Sequence, residues 1–325
     1  MRKRTRYSLL TMLILMAAFV VAVVLRGKAP PEVARLLPES DAIVYLHLKP
    51  LRTATHFDRS QVNRAPDYQK FVDATGIVFE RDLDSVAFAL HRMPDPNGPN
   101  GPVAYSEVFE GRFDGKRLTD YLKSIATSRE QYAGHEIFTI PMEGRTLRVA
   151  MLGYDTVAAS NMPTTEQIHS MLDRHSSAAS PFAGSSLLDA RYSDVPLLSI
   201  AWGIGHIALP FSESGKVSVL GLQLPLPEDT TFVASARYLG TVHVRVEEFS
   251  PSEADAARSA QSLGGLLTLL QGIQGAQGGV AGGDAALAGF IQSLKIEQHD
   301  ERVVLTGKLP AEALKRLSAS EASTK

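Results

Sequence analysis

Residues 202–208 read Trp-Gly-Ile-Gly-His-Ile-Ala, the G-x-G-x-x-A spacing that in dinucleotide-binding folds brings backbone close to a pyrophosphate. That chemistry needs a helix to begin at the second glycine, so that its N-terminus faces the phosphates. Pro210 falls seven residues after Gly203, and Gln223-Leu224-Pro225 occupies the place of the ribose-binding acid. The stretch therefore reads as a strand running into a loop. Asp95, Asn97 and Asn100 space like calcium ligands, but Pro99 and Ser106 stand at the fifth and twelfth positions, where oxygen ligands are required. Glu166 and His169 form an E-x-x-H pair with no second copy in the chain, short of a di-iron set. No histidine pair has zinc spacing, and neither G-x-S-x-G nor S-x-x-K occurs. Glu80, Asp82 and Asp84 alternate with Arg81 and read as a solvated strand entrance. No catalytic, metal or cofactor-binding residue is nominated, and no cofactor is expected; a triad assembled from distant residues stays open.

The elements that would have to position such groups begin with an apolar run. Tyr7–Leu25 is 19 residues without a charge, about 28 Å as a helix and close to the hydrocarbon core of a bilayer. It ends Ala22-Val23-Val24-Leu25-Arg26, large side chains where a signal peptidase needs small ones, so an uncleaved anchor is expected. Four cations precede the run and two follow it, which predicts a cytoplasmic N-terminus and a body outside the inner membrane. With residues 1–28 set apart, 27 Lys/Arg against 35 Asp/Glu leave the body at −8, a poor partner for nucleic acid. The chain has no cysteine, which excludes disulfides, thiolate metal sites and lipoprotein acylation.

Residues 29–40 form a proline-bearing stem, expected to be extended. Alternation then predicts strands at 41–49, 84–91, 103–112, 135–140, 145–152 and 156–160, with helices at 67–75, 114–126 and after Pro163. The order β-α-β-β-α-β predicts an α+β body of split βαβ, ferredoxin-like units with antiparallel sheets, the first over 41–176 and the second over 177–318, before a disordered tail at 319–325. The second half echoes the first: 108–118 matches 244–254 with Phe113 over Phe249, and the turn at Gly144-Arg145 matches Glu301-Arg302. Duplication is one reading of this; patterning common to any hairpin-plus-helix unit is the other. Ser250-Pro251-Ser252-Glu253 reads as a capping box with Ser250 as the cap, opening a helix to about Leu270. A second helix is expected near 284–294.

Between those helices lies a glycine-rich insert at about 271–289, read as a connector or as a mobile helical hairpin. In the second reading Leu266, Leu269, Ile273 and Val280 form a candidate surface for a partner or the bilayer.

Leu36–Leu48 (LLPESDAIVYLHL) and Phe71–Leu90 (FVDATGIVFERDLDSVAFAL) resemble uncharacterised bacterial envelope proteins with an N-terminal membrane anchor. The resemblance covers about the first hundred residues and implies an extracytoplasmic α+β body, without implying an activity or any site residue. The leading expectation is a membrane-tethered, non-enzymatic binding or scaffold module, held by the bilayer through residues 7–25 and meeting an envelope protein or a second copy of itself. A carrier of an apolar ligand or lipid is the first alternative, and a hydrolase with a dispersed site the second.

Overall fold

In the computed structural model, Met16 and residues 29–59, 64–98, 101–142, 144–177, 184–206, 216–219, 222–225, 230–276 and 285–310 are described. The apolar run 7–25, apart from Met16, lies outside them, as do Val280 and the tail. No helix among the described residues is long and apolar enough to cross a membrane.

The stem does not stay extended. Pro31 precedes a one-turn helix, α1 (Glu32–Arg35), in the place where a helix tolerates a missing N–H. Val33, Ala34, Leu36 and Leu37 are buried to 3% exposure or less. The prolines therefore start an element rather than space one. Glu39 fastens its end, accepting from the Ser186 N–H and hydroxyl and from Arg174. Burial pushes the Glu39 carboxyl up, but these donors outweigh it and hold it below its ordinary value.

Strand β1 (Ala42–His47) follows, then α2 (Leu48–Thr55), α3 (Pro66–Thr75) and the single turn α4 (Phe79–Asp82). Gly76 ends α3 at φ 74°, a left-handed cap that side chains resist. The carboxylates after it are not a solvated entrance. Asp82 is buried and accepts from Arg81 and from the Val78 N–H, while Asp84 pairs with Arg52. Strands β2 (Leu83–Arg92) and β3 (Val103–Gly111) form a hairpin. Helix α5 (Gly115–Ile125) is capped by Asp114, whose side chain accepts from the Arg117 N–H. Next come β4 (Ser128–Tyr132), β5 (His135–Met142), β6 (Arg145–Met151) and β7 (Thr156–Ser160), then α6 (Glu166–Ser176) and α7 (Ser186–Arg191).

The second half opens with β8 (Ser199–His206) and a separate hairpin of β9 (Lys216–Val219) and β10 (Leu222–Pro225). It continues through β11 (Thr231–Tyr238), β12 (Thr241–Phe249), α8 (Glu253–Ala276), α9 (Ala285–Ser293), β13 (Lys295–His299) and β14 (Arg302–Pro310). The cap of α8 is Ser252 rather than Ser250: its hydroxyl accepts from the Asp255 N–H and donates to the Asp255 carboxylate. Ser250 instead donates to Glu248, two residues too early to cap.

Twelve strands make one sheet in the order β13-β14-β12-β11-β8-β1-β2-β3-β7-β6-β5-β4, every pairing antiparallel. The α+β class with antiparallel sheet is as expected, but the split βαβ order is absent from the described strands. A ferredoxin-like unit would interleave its strands and pair two of them in parallel; here β1, β2 and β3 lie side by side in chain order and no pairing among the described strands is parallel. The halves meet where β1 pairs β8, with Tyr45 opposite Trp202. From that joint each half runs outward with the same start, β1-β2-β3 and β8-β11-β12, so β3 and β12 hold matching places. The second matched pair are both hairpin turns, opening β6 and β14, but their places in the sheet differ: β14 lies beside β12, whereas β7 separates β6 from β3.

Helices α1, α6 and α7 cover one face of the sheet centre. Leu37 just after α1, with Ile168, Met171 and Leu172 of α6 and Leu188 of α7, packs with Ile43, Tyr45, Val108, Trp202 and Ile204. On the opposite face, toward β5–β7, α5 packs Leu118 and Leu122 on Phe138, Val149 and Val157. Along β14 that same face is met by α9: Phe290, together with Leu294 just after the helix, approaches Gly307, where a Cβ would strike the Leu294 side chain.

Candidate functional site: an apolar groove on the open sheet face

The strand 199–206 alternates large and small. Trp202 and Ile204 point into the covered core, so Ala201, Gly203 and Gly205 fall on the other face. Ala234 and Ala236 of β11 lie in register beside them, Ala234 opposite Gly203 and Ala236 opposite Ala201. Five small residues on adjoining strands lower the surface there. Taller side chains stand around them: Val44, Leu46, Phe88 and Leu90 on one side, Phe232, Val244 and Val246 on the other. The result is an open groove of about 640 Å³, within the range of small-molecule sites. Among the described residues, the lining comes from β1, β2, β3, β8, β11 and β12.

The polar lining is sparse and unevenly placed. Pairing runs Tyr105–Leu90–Ala42–Gly205–Phe232 across one end, and His206 adjoins it. Across the other end Leu46, Ala201 and Ala236 are in register, without a polar side chain. Four residues of β1 separate the ends, on the order of 13 Å. Glu107 flanks the middle of the groove on the same face: it pairs with Phe88, which in turn pairs with Val44, and it follows Tyr105 by two. Burial alone pushes its carboxyl up to about 7, and no ion pair among the described residues offsets it.

A second cavity, about 630 Å³, lies on the covered face beside β1 and β8. Tyr45, His47, Tyr192 and Trp202 line it, along with Ala29–Pro31 and Leu197–Ser199. Tyr45 stacks on Trp202 at 5.4 Å, and Tyr192 meets the same indole edge-on at 5.3 Å. Burial and the Glu110 charge push the Tyr45 phenol up to about 12; burial lowers His47 against the pull of Glu110 and Asp84. At pH 7 these rings are neutral, so the cavity has an aromatic wall rather than an acid–base pair.

One buried cluster has the composition of a hydrolytic triad. His91 Nε2 is 2.9 Å from Ser106 Oγ, which is 3.1 Å from Ser160 Oγ, and the Asp41 charge acts on His91. Its wiring is structural. Ser160 Oγ takes the Met162 N–H and faces the Tyr105 carbonyl, and Asp41 accepts the Arg92 N–H. Ser106 is 0% exposed, and neither cavity reaches it, so a substrate carbonyl has no approach. Burial lowers His91, which keeps it an uncharged member of a core hydrogen-bond chain.

The residues singled out from sequence are scattered. Glu166 is exposed, and His169 bonds Glu130 at 2.9 Å while stacking on Tyr132. Asp95 accepts the Asn97 N–H in its own turn; Asn100 lies outside the described residues. No group of three metal-ligating side chains occurs among the described residues. Leu269 is exposed and Leu266 half-buried on α8; Ile273 belongs to the same helix, its side chain outside the described set. The groove itself was missed. Its signal was the small-large alternation of Ala201–Gly205, read above only against a nucleotide template.

No protein-family model matches the chain, and no curated protein does. Solved structures of TP0453 are similar in outline. Crystal form IV has a TM-score of 0.46 at 12% identity, covering 90% of this chain and 97% of that one. Crystal form III also has a TM-score of 0.46 at 12% identity, covering 91% and 99%.

Proposed function

We propose that the chain is a membrane-tethered, non-enzymatic binding module whose ligand is a linear apolar molecule of the acyl-chain type, held in the groove over β1 and β8. The observation that carries this is a groove floored by Ala201, Gly203, Gly205, Ala234 and Ala236 and walled by aliphatic and aromatic side chains. Such a surface offers dispersion and loss of water contact but little directional bonding, so it selects for shape and apolarity over functional groups. The Tyr105 end receives a polar head, and the Leu46, Ala201 and Ala236 end the terminal methyls. The tether is the uncharged run 7–25, which would keep the body beside a source of acyl chains on the outer side of the inner membrane.

The test is photo-crosslinking of the full-length protein in mild detergent with a diazirine-bearing fatty acid. Adducts are expected on peptides containing 42–46 and 201–206, saturating with ligand. Gly203→Leu should abolish them, because a Cβ at Gly203 makes only ordinary contacts, 3.6 Å to the Ile43 carbonyl oxygen and 3.7 Å to Val44 Cγ2, and the longer side chain then fills the floor. Adducts elsewhere, or unchanged labelling of a folded Gly203→Leu variant, would overturn the assignment.

A further inference from the structure

Three large apolar side chains protrude at one end of the central strands: Leu197 at 56% exposure, Leu198 at 82% and Leu239 at 58%. They belong to two loops that leave the sheet together, since Ser199 of β8 pairs with Arg237 of β11. The first loop is held firmly. The Val195 N–H donates to the Tyr192 carbonyl, and the Ser199 hydroxyl donates to Pro196 O at 2.6 Å. Leu198 sits at φ 65°, a left-handed conformation that a branched side chain resists, and spends it on pointing outward. Water gives no return for that arrangement.

The chain enters the body at the same place. Ala29, Pro30 and Pro31 line one cavity with Leu197 and Leu198, and two residues later α1 is buried in the core. Ala29 is four positions after Leu25, a reach of at most about 14 Å. A span ending at Leu25 therefore holds these leucines close to the membrane surface. Arg26 and Lys28 fall between, where headgroups accept cations.

We infer that Leu197, Leu198 and Leu239 form a docking face that dips into a lipid bilayer beside the anchor. The inference rests on the reading of residues 7–25 as that anchor. Apolar insertion rather than charge holds the face, in keeping with the acidic body. It also orients the groove: the Leu46–Ala201–Ala236 end lies at the same end of the strands as Leu198, so a bound acyl chain keeps its terminal methyls nearest the membrane and its head away from it.

The chain is free of cysteine, so Leu198→Cys and Met142→Cys each create a single labelling site. Met142 is 55% exposed at the opposite end of the strands. Each full-length variant, carrying a nitrobenzoxadiazole label, is reconstituted in phosphatidylcholine vesicles with and without brominated acyl chains. The expected result is a blue-shifted emission at 198 that brominated lipid quenches, with neither effect at 142. Equal solvent exposure at both sites, in protein that still floats with the vesicles after a carbonate wash, would overturn the docking face and leave the anchor standing. Quenching at both sites would overturn it too, because the body would then lie flat. Protein that washes off the vesicles would remove the anchor and the inference with it.

Discussion

The two faces of β1 and β8 are built from one stretch of chain to opposite ends. Ile43, Tyr45, Trp202 and Ile204 vanish under α1, α6 and α7, while Val44, Leu46, Ala201 and Gly203 form a groove on the reverse. A strand buried on both faces reads as continuous large apolar residues. In β8 large residues alternate with small ones, so one face is packed for stability and the other is left low enough to admit something else.

Truncation should separate the faces most clearly. Trp202→Ala removes an indole held between Tyr45 and Tyr192 and should cost about 3–5 kcal/mol in denaturant unfolding. Val44→Ala, on the half-buried groove wall, should cost about 1 kcal/mol. Equal losses would mean that both faces are packed alike and that the groove is closed in solution.

The two glycines of β8 sharpen the contrast at smaller scale. A Cβ at Gly205 would overlap the Ala42 side chain and crowd the Asp41 carbonyl, so Gly205→Ala should destabilise by about 2 kcal/mol in the same measurement. Gly203→Ala should be neutral or stabilise by a few tenths of a kcal/mol, since strand glycine carries an entropic cost. The reverse order would show that Gly203, not Gly205, makes the close approach.

The mildest perturbation uses pH. Burial raises the Glu107 carboxyl from its ordinary value of 4.5 to about 7. Between those values the folded chain holds a proton the unfolded chain has released, so stability falls as pH rises across that window, and the cost is complete above 7. Glu107→Gln should therefore raise stability by about 1–2 kcal/mol at pH 8, less than the full shift implies because the carboxyl keeps some water, and change nothing at pH 4. A gain of equal size at both values would place the effect in packing.

Much of the fold was readable where one face of an element is apolar and the other wet. Strands β1, β2, β3, β5, β6 and β7 and helices α3, α5, α6 and α9 follow from that alternation and from Gly76 and Asp114 at their ends. Strand β4, Ser-Arg-Glu-Gln-Tyr, was invisible because it is an edge strand whose residues are nearly all exposed. Helix α1 was hidden by prolines that mark an extended stem as readily as a helix start. Sheet order was not readable, since pairing β1 with β8 depends on contacts across the whole chain. The groove escaped for a related reason: small residues carry no chemistry, and five of them become a site only when two distant strands are laid side by side.

The joint between the halves also sets an order of assembly. Leu46 must find Ala201, 155 positions downstream, and loop closure over that span slows pairing. At about 5–20 residues per second, β8 leaves the ribosome on the order of 10–30 s after β1. Throughout that interval β1, already paired with β2, shows an unpaired and apolar edge, the kind of edge along which chains aggregate. A nascent chain of this sequence therefore has reason to engage a chaperone between the synthesis of β2 and that of β8, and a truncation ending before Ser199 would keep that edge open for good.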